Sequence, residues 1–596
     1  MGPADPLISS STLASMSVSG TERTPLLGDE EDNNYNHNNN NNHPYHKNAQ
    51  NQVNPNAQEG VQSVEAITLV WSKTSLRWTY FFILLIYTLN SIQGQVTQNL
   101  MPYVVSDFSA LSLIPVIGIV SAIMNGVLRL PIAKLLDLWG RAEGFAFMTL
   151  IATTGLLLMA ICRNIETYAV AQVCYAVGFG GISLTMNVVI ADISSLKNRA
   201  LAISVASSPY IATTIIGPRL SQTIYQTIGF RWAFGLSAIL TPMFAAPIFG
   251  MLFTNQLKAK QIGVLSSVPA KRSWKEAFVH HVEEFDAYGV FFLSAGLVFF
   301  LLPFSITGYA DNSWTSPSIV SMIFIGLILL IIFGFWERFY ATRPFIPYHL
   351  LCDRTVIGAS LLCATRFVAY FCWDGYFTSY LQVVNGLSIS KAGYIGNIFS
   401  IGACLMSLVT GYFIRVTGRF KWIAWIAMPI ELVGGASMIY FRQPYQNIAY
   451  VVGCQVFIAI AGGALVICEQ MAVMAVVEHA QIAAILALLG LVSNIGGAVG
   501  SSVSGAIWTN TLPGALLERL PEYAKGNATA IYEDLALQLS YPRGSEVRDA
   551  IVAAYGVAQM RMCIAGTAAL MFGFVWVSLW RDVKVSDLKQ NRGTVL

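Results

Sequence analysis

Charged residues are scarce in this chain. Asp, Glu, Lys and Arg make up 11% of its 596 residues, whereas a typical soluble domain carries roughly 25%. Apolar residues make up 55%, and the mean hydropathy is +0.57. This composition excludes a protein surrounded by water on all sides and indicates lipid as the solvent of most of the chain. The formal net charge of only +3 also gives no support for a nucleic-acid partner.

Cysteine is sparse, and its spacing argues against a disulfide-linked protein and against a zinc-binding protein. The nine cysteines lie in or beside apolar runs, and no two of them form a CxxC pair. This arrangement argues against a disulfide scaffold or a zinc site and favours thiols that act as small apolar fillers. The apolar runs also contain no HExxH, no GxSxG and no His/Asp array. The sequence therefore predicts no metal, no cofactor and no intramembrane enzyme.

The N-terminal 76 residues differ in composition from the rest. The stretch EDNNYNHNNNNNHPYHKNAQNQVNPNAQ is rich in Asn and poor in branched apolar residues, which predicts a disordered tail. No basic region followed by an apolar run precedes it, so no cleavable signal peptide is predicted. The segment ERTPLLGDE resembles an acidic dileucine sorting signal. It favours a plasma-membrane protein that cycles through endosomal vesicles.

Long apolar runs are abundant from Arg77 onward. Many are long enough to cross a bilayer, which takes roughly 20 helical residues. They are too long and continuous to be the strands of a barrel. Helices are then the remaining structure that forms all backbone hydrogen bonds inside a lipid bilayer. We predict an all-α membrane protein with about 14 transmembrane helices. The spans lie near 77–98, 110–132, 144–162, 167–191, 199–218, 231–253, 287–306, 317–336, 355–377, 391–413, 422–440, 447–473, 481–508 and 560–580.

The spans form a six-plus-two-plus-six layout. Basic residues concentrate in alternate gaps and after the last span, so both termini are predicted to be cytosolic. The segments YAVAQVCYAVGFGG and YVVGCQVFIAIAGG show weak internal symmetry, as expected of two transporter halves. The predicted parts are a cytosolic tail (1–76), an N-terminal six-helix bundle (77–253), a cytosolic loop with an interfacial helix (254–286), two extra helices (287–354), a C-terminal six-helix bundle (355–580) and a cytosolic tail (581–596).

The gap after the second span carries a motif. Its sequence AKLLDLWGRAEG resembles the signature loop of the major facilitator superfamily, Gly-x-x-x-Asp-x-x-Gly-Arg-Arg/Lys. Asp137, Gly140 and Arg141 match this pattern, whereas Ala133 and Ala142 depart from it. Gly140 permits a tight turn, and Arg141 suits the negative ends of helices. We expect Asp137 to pair with a base across the cytosolic face and latch the halves together in the outward-open state.

A second copy of the motif lies in the corresponding gap of the other half. GYFIRVTGRFKW repeats the Gly-Arg pair as Gly418 and Arg419, but it carries Arg415 where the first copy has Asp137. An acid in one half and bases in the other predict a gate built from both loops. The alternative is a pair of topogenic loops whose charges only hold the orientation of the helices.

Ionisable groups inside spans are informative, because a charge at a helix centre costs about 2.5–3.5 kcal/mol on insertion scales. Arg366 and Asp374 are eight residues apart and so lie near one helix face. Glu431 and Glu469 lie in later spans. The amide and aromatic candidates are Asn90 and Gln95 in the first span and Tyr370, Trp373, Tyr376 and Tyr380 around Asp374. A structural ion pair with an interfacial aromatic belt is the alternative to a functional site.

Four longer segments narrow the resemblance. WDGYFTSYLQVVNGLSISKAGYI, RWAFGLSAIL, SGAIWTNTLP and QLSYPRGSEVRDAIVAAYGVAQMRM resemble the fungal siderophore–iron transporters, a branch of the major facilitator superfamily. The similarity covers about residues 66–590. It implies import of intact ferric siderophores, mostly hydroxamates, driven by the proton gradient. Proton-coupled export of drugs or small peptides is the alternative within transport, and a nutrient receptor without flux is another.

The side-chain chemistry suits that cargo. A ferric tris-hydroxamate is bulky and close to neutral, with an apolar rim and carbonyl acceptors. The predicted substrate-binding residues are therefore Asn90, Gln95, Tyr370, Trp373, Tyr376 and Tyr380. A neutral cargo gains nothing from the membrane potential, so its accumulation requires a co-transported ion such as a proton. Asp374 is the first candidate for the proton-linked acid and Glu469 the second, with Arg366 as the partner that tunes the pKa.

The segment before the last span is predicted to be an extracellular lid. Residues 510–558 form a long gap, and most connections are only about 4–6 residues. Within it, TAIYEDLALQLSY and SEVRDAIVAAYGVAQ place apolar residues at helical spacing. The sequon at Asn527 predicts glycosylation on the same side.

Overall fold

The structure is a computed structural model that describes residues 73–107, 114–261, 285–306, 315–341 and 348–587. The predicted disordered tail and the interfacial helix of the loop at 254–286 fall outside these ranges, apart from their edges. Within the described ranges the regular secondary structure is helical. The helices are α1 Lys73–Asp107, α2 Ile114–Trp139, α3 Arg141–Ile161, α4 Ile165–Ile193, α5 Leu196–Ala206, α6 Pro209–Thr227, α7 Gly229–Gln261, α8 Ala287–Leu301, α9 Pro303–Ile306, α10 Pro317–Phe339, α11 Tyr348–Leu351, α12 Arg354–Asp374, α13 Phe377–Val383, α14 Ile389–Gly396, α15 Ile398–Thr417, α16 Lys421–Phe441, α17 Ile448–Ala475, α18 Ile482–Arg519, α19 Glu522–Lys525, α20 Ala528–Glu533, α21 Leu535–Ser540, α22 Glu546–Leu570 and α23 Gly573–Ser578.

The predicted spans coincide with helices. In the described part of the chain, 12 helical segments are long and apolar enough to cross a membrane. Two predicted spans fall outside that set, because α1 is long but carries amide side chains and α8 has only 15 residues. The all-α, multi-span prediction is confirmed, whereas the count of 14 and the side of each terminus stay predictions.

Small residues let the helices of the C-terminal bundle pack closely. Gly496 and Gly500 of α18 face α12, where a Cβ on either would lie 2.5 Å from the carbonyl oxygen of Ala364 or Val368. Without a hydrophobic driving force between helices in lipid, such close backbone approach is what holds them together. The small-residue stretch SNIGGAVGSSVSGAIW therefore packs α18 against α12.

The two bundles touch where their helices end beside the basic loops, here called the basic side. Gly411 of α15 packs on Leu201 of α5, since a Cβ there would lie 2.9 Å from the Leu201 Cα. One turn away, Ser204 Oγ donates to the Ser407 carbonyl over 2.8 Å. The structure is therefore closed on the basic side, which is the side predicted to face the cytosol.

The predicted lid is shorter than its expected range of 510–558, because both flanking helices extend into it. Helix α18 continues to Arg519, and α22 begins at Glu546. Thr509 and Asn510 lie within α18 and donate to carbonyls one turn back, at Gly505 and Ala506. Polar residues that satisfy their own helix in this way do not end it. The lid is hereafter residues 520–545, which contain the short helices α19, α20 and α21.

Candidate functional site

Three charged side chains meet inside the C-terminal bundle. Arg366 of α12 donates from Nε to Glu431 of α16 over 2.9 Å and from Nη1 to Glu469 of α17 over 3.0 Å. Its Nη2 donates to the Gly462 carbonyl over 3.1 Å. The three side chains, here called the Arg366 cluster, are at most 6% exposed. With both glutamates ionised, the cluster carries one surplus negative charge.

The expected partnership of Arg366 with Asp374 is wrong. Eight residues on one helix correspond to about 12 Å along its axis, so the two side chains share a face but lie two turns apart. The Arg366 guanidinium is occupied by Glu431 and Glu469 instead. Asp374 lies beside the Tyr370 hydroxyl and near a second arginine, Arg442. The structure thus separates the two proton-coupling candidates into different environments.

Arg442 is a buried arginine that sequence reasoning missed. Its guanidinium lies over the rings of Trp373, Phe377 and Tyr380, at 5.4, 4.3 and 5.2 Å from their centroids. Its Nη2 donates to the Trp373 carbonyl over 3.1 Å, and the residue is 0% exposed. The sequence did contain one signal for Arg442. Lys and Arg concentrate in the loops on one side of a membrane protein, and Arg442 follows a span on the opposite side.

The predicted substrate-binding aromatics form a packed layer around this arginine. Trp373 and Tyr380 are buried and enclose Arg442. The ring of Tyr370 lies 5.1 Å from that of Trp373. Tyr376 stacks on Trp508 with centroids 4.1 Å apart. The structure therefore brings Tyr370, Trp373 and Tyr380 together around Arg442, whereas Tyr376 packs on Trp508, and the role of these aromatics in binding cargo stays a prediction.

The amide side chains of α1 that could contact cargo differ in their surroundings. Gln95 packs on Gly217 of α6, where a Cβ would lie 2.7 Å from the Gln95 Cβ. Asn90 is half-buried. Gln93 is buried and donates to Thr241 of α7 over 2.8 Å, which makes it part of the bundle's packing. Asn90 and Gln95 stay candidates for contact with cargo.

The signature loop forms a buried ion-pair network. Arg141 donates to Asp137 over 2.8 Å and to Asp192 of α4 over 3.2 Å. Gly140 adopts a φ of 109°, which favours glycine at the turn between α2 and α3. His479 Nε2 lies 3.4 Å from the second oxygen of Asp192. Asp137 therefore pairs with its own loop, and the link to the other half runs through Asp192 and His479, which the sequence did not reveal.

The second loop is bound within its own half. Arg419 pairs with Asp582 over 2.9 Å, and the Val585 amide donates to the Gly418 carbonyl over 2.8 Å. Arg415 is exposed. A gate built from both loops would pair Arg419 with the first loop, but Arg419 pairs with Asp582 of its own half instead. Because this copy has Arg415 in place of the acid, Arg419 finds its carboxylate in the segment after α23.

The lid is docked on the outer end of the C-terminal bundle. Arg548 of α22 is buried and donates to the Val383 carbonyl at the end of α13 over 2.9 Å and to the Gln538 carbonyl of the lid. Tyr555 donates to the Gln538 side chain over 2.8 Å. Asn527, which precedes α20, is exposed. Residues 520–545 are thus held to the bundle by the hydrogen bonds of Arg548 and Tyr555 and by buried apolar side chains such as Ile531.

Comparison with known proteins agrees with this architecture. Residues 83–364 match the Major Facilitator Superfamily. The chain is 47% identical over 549 residues to MFS siderochrome iron transporter 1 of Ajellomyces capsulatus, covering 92% of this chain and 93% of that one. It is 41% identical over 539 residues to siderophore iron transporter mirB of Emericella nidulans, covering 90% and 89%.

A solved structure supports the fold alone. The crystal structure of the human organic anion transporter MFSD10 (TETRAN) is similar with a TM-score of 0.50 at 11% identity, over 84% of this chain and 99% of that one. At this identity the likeness concerns the arrangement of the helices, not the cargo.

Proposed function

Because the chain belongs to the siderophore iron transporters of the major facilitator superfamily, we propose that it carries ferric siderophores across a membrane. The observation that carries this proposal is identity of 41–47% along about nine-tenths of both chains. We assign the protein to import at the plasma membrane, with cycling through endosomal vesicles.

The cargo we favour is a ferric hydroxamate. Such a complex is large and nearly neutral, and the C-terminal bundle offers the aromatics Tyr370, Trp373 and Tyr376 while α1 of the N-terminal bundle offers the amides Asn90 and Gln95. Aromatic faces contribute much contact area, and amide groups donate to carbonyl oxygens. No strong charge is required to hold a neutral cargo.

Proton symport is the energy source that we assign, and the Arg366 cluster supports it. A surplus charge buried in a low-dielectric interior is costly, and protonation of one glutamate removes it. Glu469 is our first candidate for the proton-binding acid, because it shares Arg366 with Glu431. Asp374 becomes the second, since Tyr370 and Arg442 already surround it.

The test of the proposed function is uptake of labelled iron in cells that lack their own carriers. Each of several ferric siderophores is offered with and without a protonophore, and the amount of carrier at the cell surface is measured. We expect saturable uptake of a ferric hydroxamate that the protonophore abolishes. Absence of uptake for every siderophore, with the carrier present at the surface, would contradict the proposal.

A further inference from the structure

Arg129 is an arginine inside a span that belongs to neither the signature loop nor the Arg366 cluster. It lies on α2 of the N-terminal bundle. Its guanidinium rests on the backbone of Gly490 in α18, since a Cβ there would lie 2.2 Å from Nη1. Its buried Nε has no hydrogen-bond partner among the residues that the structure describes. Arg129 thus places a charge of the N-terminal bundle against the C-terminal bundle.

The depth of Arg129 falls within the range of depths of the Arg366 cluster. At about 1.5 Å per helical residue, Arg129 lies about 15 Å from the basic-side end of α2. By the same measure Glu431 lies about 15 Å from the basic-side start of α16, Arg366 about 18 Å from that of α12, and Glu469 about 9 Å from the basic-side end of α17. The N-terminal arginine and the C-terminal charges therefore share one layer of the protein.

Cys363 of α12 connects the two. Its thiol lies beside the Glu469 carboxylate and near the charges of Arg366 and Arg129. The cluster sums to one negative charge when Glu431 and Glu469 are ionised, and Arg129 supplies one positive charge. The layer is neutral only while Arg129 stays against the C-terminal bundle, and opposite charges in a low-dielectric interior attract each other over longer distances than they do in water.

The remaining titratable neighbours do not supply this charge. Tyr87 of α1 lies near Arg129, and Cys468 of α17 lies near Glu469. Phenol and thiol groups of these types are neutral at pH 7 in their ordinary range. The net charge of this layer is therefore set by two arginines, Arg129 and Arg366, and the two glutamates of the cluster.

We propose that Arg129 couples protonation of the Arg366 cluster to opening of the basic side. While both glutamates are ionised, the cluster attracts Arg129 and holds α2 against α18. A proton from the outer solution bonds to a carboxylate oxygen of Glu469, and the attraction on Arg129 is lost. The bundles then part on the basic side, where the proton leaves to water. The inference rests on the proposed function, for which it names the coupling residue.

The test measures closure of the basic side without any cargo. Ser204→Cys and Ser407→Cys are introduced together in the full chain, reconstituted in lipid vesicles, because the two positions touch when that side is closed. Disulfide formation is followed by gel after cleavage between the bundles, and the chain without the two new cysteines is the background. We expect Arg129→Gln to lower the rate of disulfide formation about 5-fold or more, and Glu469→Gln to do the same. Arg129→Lys, which keeps the charge, should behave as the parent.

A double-mutant cycle separates coupling from a packing defect. Arg129→Gln and Glu469→Gln together should lower the rate no further than either change alone, because both remove one interaction. Additive losses, or an unchanged rate in Arg129→Gln, would overturn the proposal. If Arg129→Gln does not accumulate, recovery by Glu469→Gln and by Arg129→Lys supports the charge balance, and failure of both overturns it. Loss of siderophore uptake with an intact cycle would refute the proposed function alone.

Discussion

At the scale of single residues, the acids of the C-terminal bundle differ in what surrounds them. Glu469 and Glu431 compete for one arginine, so the pair holds one carboxylate more than Arg366 can neutralise. Asp374 lies near the guanidinium of Arg442 and does not share Arg366. A carboxylate near a positive charge gains less from taking up a proton than one of two carboxylates that share a single positive charge. This difference favours the Arg366 cluster over Asp374 as the proposed proton-binding site.

Arg442 is predicted to be a structural residue, and Arg442→Gln should lower the melting temperature of the purified protein. Three aromatic faces lose their cation and the buried Trp373 carbonyl loses a donor in this variant, and an unsatisfied buried acceptor costs about 1–3 kcal/mol. Arg231→Gln is the matched control, because Arg231 lies over one ring, that of Phe230, at the exposed surface. Equal melting temperatures for the two variants would show that Arg442 is not structural.

At the scale of elements, short segments join parts that the long helices leave apart. The turn at His479–Gln481 before α18 reaches Asp192 at the end of α4, and thereby extends the signature-loop network into the other half. We predict that His479→Ala slows disulfide formation between cysteines at Ser204 and Ser407, because the link across the basic side is lost. His479→Gln, which retains a donor, should come close to the parent. A similar rate in the alanine variant and the parent would refute the link.

The lid is the second such element. Replacing residues 521–545 by a Gly/Ser linker should raise the apparent KM for ferric siderophore, because the buried contacts of Gln538 with Arg548 and Tyr555 disappear. Surface labelling of the carrier should stay unchanged in the same cells. Arg548→Gln should move the KM in the same direction by a smaller amount, since it removes the hydrogen bonds of Arg548 to the lid and to α13 without deleting the lid. An unchanged KM in both variants would mean that the lid is only a spacer.

At the scale of the whole molecule, the sequence predicts most of the architecture and little of the site. Runs of apolar residues mark each helix locally, and Asp137 and Arg141 are four positions apart, so their pairing follows from the motif. The partners of Arg366 lie 65 and 103 residues away on other helices, and no local pattern encodes that meeting. The same holds for His479 and Asp192. These contacts depend on how the helices pack against one another, and the spacing of residues in the sequence does not predict that packing.

The orientation of the whole molecule has a simple check at Asn527. The distribution of basic residues predicts that the lid lies outside the cell, and the exposed sequon there is predicted to carry a glycan. Treatment with a peptide N-glycosidase should increase the gel mobility of the carrier. Asn527→Gln should abolish that shift while leaving uptake intact. A shift that persists in this variant would place the glycan elsewhere.

Proton influx together with cargo tests the central claim most directly. In vesicles that contain the purified carrier and an internal pH indicator, a ferric hydroxamate that the carrier binds is added outside, with no imposed gradient. The account predicts internal acidification that saturates with siderophore, and loss of this signal in Glu469→Gln while siderophore binding persists. Siderophore entry without acidification in the parent, or undiminished acidification in Glu469→Gln, would contradict it.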